Sequence, residues 1–286
     1  MFSQLKFRII TFAIIIIGVI LILHQNIAYQ VPFNPNMNYD VWTVEAKLEY
    51  EPEKNQPTDI VFCLPATQRG YTLLEQRTIS FGFGSSYLQK DGSKLIQWTK
   101  NTVKGKQTLY YRANLLKDDS DKSSMTVPAV DTILEEEPFQ SAMLEIAEKA
   151  YAKSAAPYSF AAQVIYQFNH RTDASELLEQ RYDRNDLLVK ILNLKNVPAK
   201  KIEVLDLEKD AHNLKLKTRV AVFDKTKYLV FDVFTGASGM EENQIIWNDN
   251  RHSVLKIKGG HVTSLSFSTL KDSVSGVMAA EKKNGV

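Results

Sequence analysis

A chain of 286 residues with 44% hydrophobic and 24% charged residues has room for two modest folded domains and is not a disordered or low-complexity polypeptide. A net charge of +2 and a pI near 8.4 are too mild, and too evenly spread, for a nucleic-acid-binding protein. The single cysteine excludes an intrachain disulfide and any Cys/His zinc cluster, and no metal or cofactor is implied.

Ile9 to Leu23 is a nearly unbroken apolar run, preceded by Lys6 and Arg8 and followed by His24-Gln25-Asn26. It predicts a membrane-anchoring helix within residues 1–30 and a single-pass protein of the inner (cytoplasmic) membrane. Its basic flank belongs in the cytoplasm, which leaves the bulk of the chain extracytoplasmic, on the periplasmic side. A cleaved signal peptide is the rival reading, although no Ala-x-Ala site follows the run. Nothing later in the chain is long or apolar enough for a second span.

After the linker Val31-Pro-Phe-Asn-Pro-Asn the period becomes two. Val41–Tyr50, Asp59–Leu64, Tyr71–Leu74, Ile79–Gly84, Leu95–Thr99 and Thr108–Ala113 are strand-like runs with no helix among them, which predicts a β-sandwich over residues 40–116. Trp42, Trp98, Tyr110 and Tyr111 read as its core rather than as a ligand platform. Cys63 lies in one of these apolar runs and reads as a buried, inert thiol. Phe81-Gly-Phe-Gly reads as a strand end, because it lacks the Lys-Ser/Thr and the following helix of a phosphate loop.

Lys117 to Ser124 is a charged, small-residue connection and the expected domain boundary. Beyond it the period becomes helical, through Phe139–Ala152, Tyr158–Phe168 and a short helix opened by the capping pattern Asp173-x-x-Glu176. Glu135-Glu136-Glu137 reads as a solvated helix approach. Asp183 is placed to cap a helix whose Leu187, Leu188, Ile191, Leu192 and Leu194 share one face, and Asn196-Val197-Pro198 ends it. A strand at Ile202–Val204, an alternating run from Leu214 to Val222, a turn at Lys225–Lys227 and a strand from Tyr228 to Val233 complete a helix feeding an antiparallel sheet. The fold class is therefore α+β: an anchor at 1–30, a sandwich at 40–116 and an α+β domain at 130–265, whose tail from Gln244 is again strand-like.

This order resembles the transglutaminase-like branch of the cysteine-protease fold. Asn196-Val-Pro-Ala-Lys200 is similar to that family's Gly-Ile-Pro-Ala-Arg helix end, and Arg219-Val-Ala-Val-Phe with Phe231-Asp232 is similar to its two catalytic strands. The resemblance implies a Cys opening the helix, a His on the first strand and an Asp ending the second. Laid on this sequence, those positions fall on Arg181, Lys217 and Asp232, a degenerate triad of which only the acid survives. His212 is five residues from Lys217, an odd spacing that puts it on the other face of a strand. Acyl transfer needs a thiolate activated by an imidazole, and Arg181 can supply neither role.

Taken whole, the anchor, the Trp42–Tyr50 strand, Phe81-Gly-Phe-Gly, Trp98, Gly105–Tyr111 and the degenerate core helix resemble the bacterial family of inactive transglutaminases fused to seven transmembrane helices, here without the seven-helix part. That resemblance implies a catalytically dead domain that binds a peptide or protein partner, and a working link to an ATP-grasp amino-acid ligase. The alternative, from a different class, is an active hydrolase or transferase using Lys217 and Asp232.

Overall fold

The computed structural model describes residues 38–54, 56–132 and 134–275, with Ile16 and Gly18 besides. The expected anchor lies outside these residues, and among the described residues no helix is long and apolar enough to cross a membrane. The amino-terminal half is all strand: β1 (Asn38–Pro52), β2 (Thr58–Cys63), β3 (Tyr71–Ile79), β4 (Gly84–Lys90), β5 (Ser93–Lys100) and β6 (Gln107–Lys117). Four helices follow, α1 (Phe139–Tyr151), α2 (Pro157–Asn169), α3 (Asp173–Glu179) and α4 (Arg184–Leu194). Seven further strands end the fold: β7 (Ala199–Asp206), β8 (Ala211–Leu214), β9 (Lys217–Asp224), β10 (Lys227–Phe231), β11 (Gln244–Asn248), β12 (Leu255–Lys258) and β13 (Gly260–Ser275).

Strict alternation makes β1 a two-faced strand, with Val44, Ala46, Leu48 and Tyr50 buried between half-buried neighbours. It lies inside a five-stranded sheet ordered β3-β6-β1-β13-β8, which faces a four-stranded sheet ordered β12-β2-β5-β4. Trp42, Trp98 and Tyr111 are buried between the two sheets, with Phe62, Trp247 and Phe267, and Tyr110 is half-buried. These aromatics are core, and their large apolar area is what holds the sandwich together. Phe81 and Gly82 form the turn between β3 and β4, with Gly82 at φ +69°.

The third sheet, ordered β10-β9-β7-β11, carries the α+β part. On β9, Val220 and Val222 enter the helical core with Leu187, Leu188 and Ile191, while Ala221 and Phe223 pack on the opposite face with Ile202, Val204 and Ile246. The period-two pattern therefore feeds two cores from one strand.

The division at residues 116 and 130 is crossed by the end of the chain. β13 pairs with β1 from Gly260 to Ser275, β12 pairs with β2, and β8 lies beside β13. Leu205, Leu207, Ile245 and Trp247 enter the sandwich core, so β7 and β11 belong to both units. The run Leu214 to Val222 is likewise two strands in two sheets, because Leu214 pairs with Phe267 while Lys217–Val222 pairs with β7. A buried polar cluster pins the units at one point. Asp249 accepts from Lys200 at 3.3 Å and is ion-paired with Arg251 at 2.7 Å, and Arg251 donates to the carbonyls of Asp91 and Ser124.

Candidate functional site

The site that the sequence singles out is the amino end of α4 and the β9–β10 hairpin beside it. Asp183 caps α4 as expected, its Oδ1 accepting from the Asn185 main-chain N–H at 2.9 Å. Asn196, at φ +55°, ends the helix, so the chain can turn through Pro198 into β7. Arg184, the first helical residue, donates to Glu179 and to Asn169, each at 3.0 Å, and its guanidinium stands 5.7 Å from the centre of the Phe234 ring. The helix start therefore abuts the loop that follows β10.

Lys225-Thr226 make a two-residue turn, with Lys225 at φ +55°, and this sets Phe231 opposite Val220. One step further along the ladder, Asp232 meets Arg219. The two form an ion pair at 2.9 Å with both side chains nearly buried, and Asp232 Oδ1 also accepts from the N–H groups of Phe234 and Thr235. Burial pushes the Asp232 carboxyl upward, but those two main-chain donors and the Arg219 charge outweigh it and hold the group below its ordinary range.

The three expected triad positions do not pair with one another. Arg181 lies in the turn after α3, with its guanidinium 4.7 Å from the centre of the Phe139 ring and 3.9 Å from Glu136. Lys217 is ion-paired with Asp206. The hydrogen bond to Asp206 outweighs partial burial and raises the Lys217 pKa, so the amine stays charged and cannot serve as a base. The residue that does face Asp232 is Arg219, missed in the family-spacing count although the hairpin register points to it. A guanidinium in that place can neither accept a proton nor activate a nucleophile.

Two other sequence readings are settled by burial. Cys63 ends β2, buried on the face opposite Phe62 and 3.5 Å from Asn248 Oδ1 at the end of β11, and burial pushes its thiol up to about 12. It is an inert core residue, and His212 is exposed on β8. Glu135, expected to be solvated, accepts from Lys190 and Tyr182, each at 2.5 Å, because α1 and α4 bring those donors together. Thr172, one residue before the expected cap, caps α3 through Ser175. Among the described residues no group of three or more His, Cys, Asp or Glu could hold a metal ion.

A search of curated proteins finds no match to the chain. Among solved structures, the fold is similar to that of a candidate cysteine protease from Cytophaga hutchinsonii, with a TM-score of 0.55 at 10% identity over 82% of this chain and 92% of that one. A candidate protease from Parabacteroides distasonis overlaps less closely, with a TM-score of 0.28 at 13% identity over 77% of this chain and 47% of the other. The first likeness is one of fold alone, a mixed helix-and-sheet architecture shared with that structure. Residues 24–182, over half of the 286, match the model of the family described as inactive transglutaminase fused to 7 transmembrane helices, and the chain belongs to that family.

Proposed function

We propose that this chain is a membrane-anchored, extracytoplasmic pseudoenzyme that holds a peptide or protein partner and performs no acyl transfer on it. The observation that supports this reading is the Arg219–Asp232 pair. The acid that would orient a catalytic imidazole is bonded to a guanidinium, and the lone thiol is buried in the other part of the molecule. The fold is kept while the proton-transfer chemistry is gone. An ATP-grasp amino-acid ligase is the partner class that the family resemblance suggests.

Three measurements test the reading. The purified chain is expected to show no amidase or transglutaminase turnover on generic peptide substrates, and turnover abolished by Cys63→Ser would refute it. Pull-down from membranes with the full chain as bait should retain a specific partner. Protease added to spheroplasts should digest the folded part, and digestion only after lysis would reverse the proposed topology.

A further inference from the structure

The third sheet treats its two edges differently. At the β11 edge the buried Gln68 side chain acts as a substitute strand: its Oε1 accepts from the Ile246 N–H at 2.7 Å, and the Ala66 N–H donates to the Ile246 carbonyl at 3.2 Å. At the β10 edge, the chain's own segment 237–239 covers only the carboxyl-terminal half. Gly239 N–H donates to the Val230 carbonyl at 2.8 Å, and Asp232 N–H donates to the Ala237 carbonyl at 2.9 Å. These bonds fix the alternation, so the main-chain groups of residues 228, 230 and 232 point away from β9. The covering segment then peels away at Met240, and the Tyr228 N–H and C=O face outward where nothing of this segment follows.

A groove of about 880 Å³ opens at that place. Tyr158 and Leu229, from the helical side of the sheet, and Tyr228 and Met240, from the opposite side, all line it, so the strand edge itself opens into the groove. Met125 and Ile246 add an apolar floor. Its charged lining consists of five carboxylates and three cations. Two of the cations are already engaged, Lys117 with Glu242 at 2.7 Å and Arg69 with Asp121 at 3.6 Å. The remaining rim, with the exposed Asp119 and Glu241 against Lys227, is net negative. The groove also lies near the end of the five-stranded sheet at which β1 begins and β13 ends, since Tyr71 and Lys117 of that end line it.

We propose that this groove receives an extended, lysine- or arginine-bearing polypeptide segment, which adds as a short strand beside Thr226–Leu229 and sets its cations against Asp119 and Glu241. Strand addition uses the main chain for affinity and alternate side chains for specificity. Here the alternate side chains meet an apolar floor on one side and a negative rim on the other, and flexible methionines suit a surface that adapts to its occupant. This rests on the reading of the chain as a polypeptide binder and assigns that binding to the groove instead of to the vestigial triad.

The test uses a fluorescein-labelled hexapeptide of alternating lysine and valine, titrated into the full chain by fluorescence anisotropy, with two comparison probes. One replaces lysine by glutamate, and the other is N-methylated at alternate main-chain nitrogens so that it keeps its charge but cannot pair as a strand. The parent probe should bind in a salt-dependent way. The double substitution Asp119→Lys with Glu241→Lys should raise its Kd about tenfold, and so should N-methylation. Both substituted positions are exposed, and an unchanged far-UV circular dichroism spectrum will show that the variant is folded. No binding of the parent probe, equal binding of the glutamate or N-methylated probe, or an unchanged Kd in the double variant overturns the groove assignment. The membrane pull-down decides the broader reading separately: a partner retained by a chain that ignores the probe leaves the binder standing and removes the groove.

Discussion

Replacing Arg219 by methionine tests whether the vestigial site is a structural fixture. The substitution keeps length and apolar stem but removes the charge 2.9 Å from Asp232. Breaking a deeply buried pair costs about 3–5 kcal/mol, whereas an exposed pair is worth about 0.2–1 kcal/mol. Here the side chains are 14% and 13% exposed, and the carboxylate keeps its two main-chain donors, which places the loss near 2 kcal/mol. For a chain of this size that is a fall in Tm of about 4–8 °C. The three tryptophans Trp42, Trp98 and Trp247 all lie in the sandwich core, so unfolding of the helical part is better followed by helical circular dichroism than by tryptophan fluorescence. The pair also fixes the pH dependence. Because the folded Asp232 pKa lies below its unfolded value, its contribution is fully present well above pH ~4 and is lost as pH falls through the folded value. The variant should therefore lose less stability than the parent between neutral pH and pH ~3, while keeping part of the slope through Phe234 and Thr235. An unchanged denaturation midpoint together with an unchanged acid slope would refute the assignment.

Cys63 should resist iodoacetamide in the native chain at mildly alkaline pH and react once the chain is unfolded, as a thiol pushed up to about 12 by burial must; rapid stoichiometric labelling of folded protein would contradict this. Gly259→Ala should destabilise by about 2 kcal/mol or more in urea titration, since φ there is +79° and a Cβ would overlap the Pro57 carbonyl. Asp249→Ala should cost about 3 kcal/mol or more, because it strands the Lys200 and Arg251 cations in the buried cluster. A loss under about 0.5 kcal/mol would show that the cluster does not pin the two units.

Local chemistry was the readable part of the sequence. Five of the six strands expected in the amino-terminal half, the Asp183 cap and the left-handed Asn196 are written in short-range patterns, and the structure has each of them; the expected strand Ile79–Gly84 is instead the end of β3 and a glycine turn, with β4 beginning only at Gly84. Partnership was less readable. Leu214 and Val220 share one alternating pattern, yet they belong to different sheets, because alternation states which face is buried and not which strand lies alongside. The pairing of Asp232 with Arg219 was within reach, since the two-residue turn at Lys225-Thr226 fixes the register, whereas counting from a family spacing led to Lys217. Glu135 illustrates the remaining limit. Its donors, Tyr182 and Lys190, lie far along the chain, and only the packing of helices makes a charged run into an anchored one.

The long ladder between β1 and β13 has a consequence for how the protein is made. At the usual ~5–20 residues per second, a ribosome needs roughly 10–40 s to travel from the end of β1 at Pro52 to the start of β13 at Gly260. During that interval the nascent sandwich has β6 on one side of β1 and an open ladder on the other, at the strand that contributes Trp42 to its core. An open, apolar edge of that length invites pairing with another nascent chain. That edge is covered only when β13 has emerged. A chain cut short before residue 260 would remain in that vulnerable state, and exchange of strands between copies would be its expected fate.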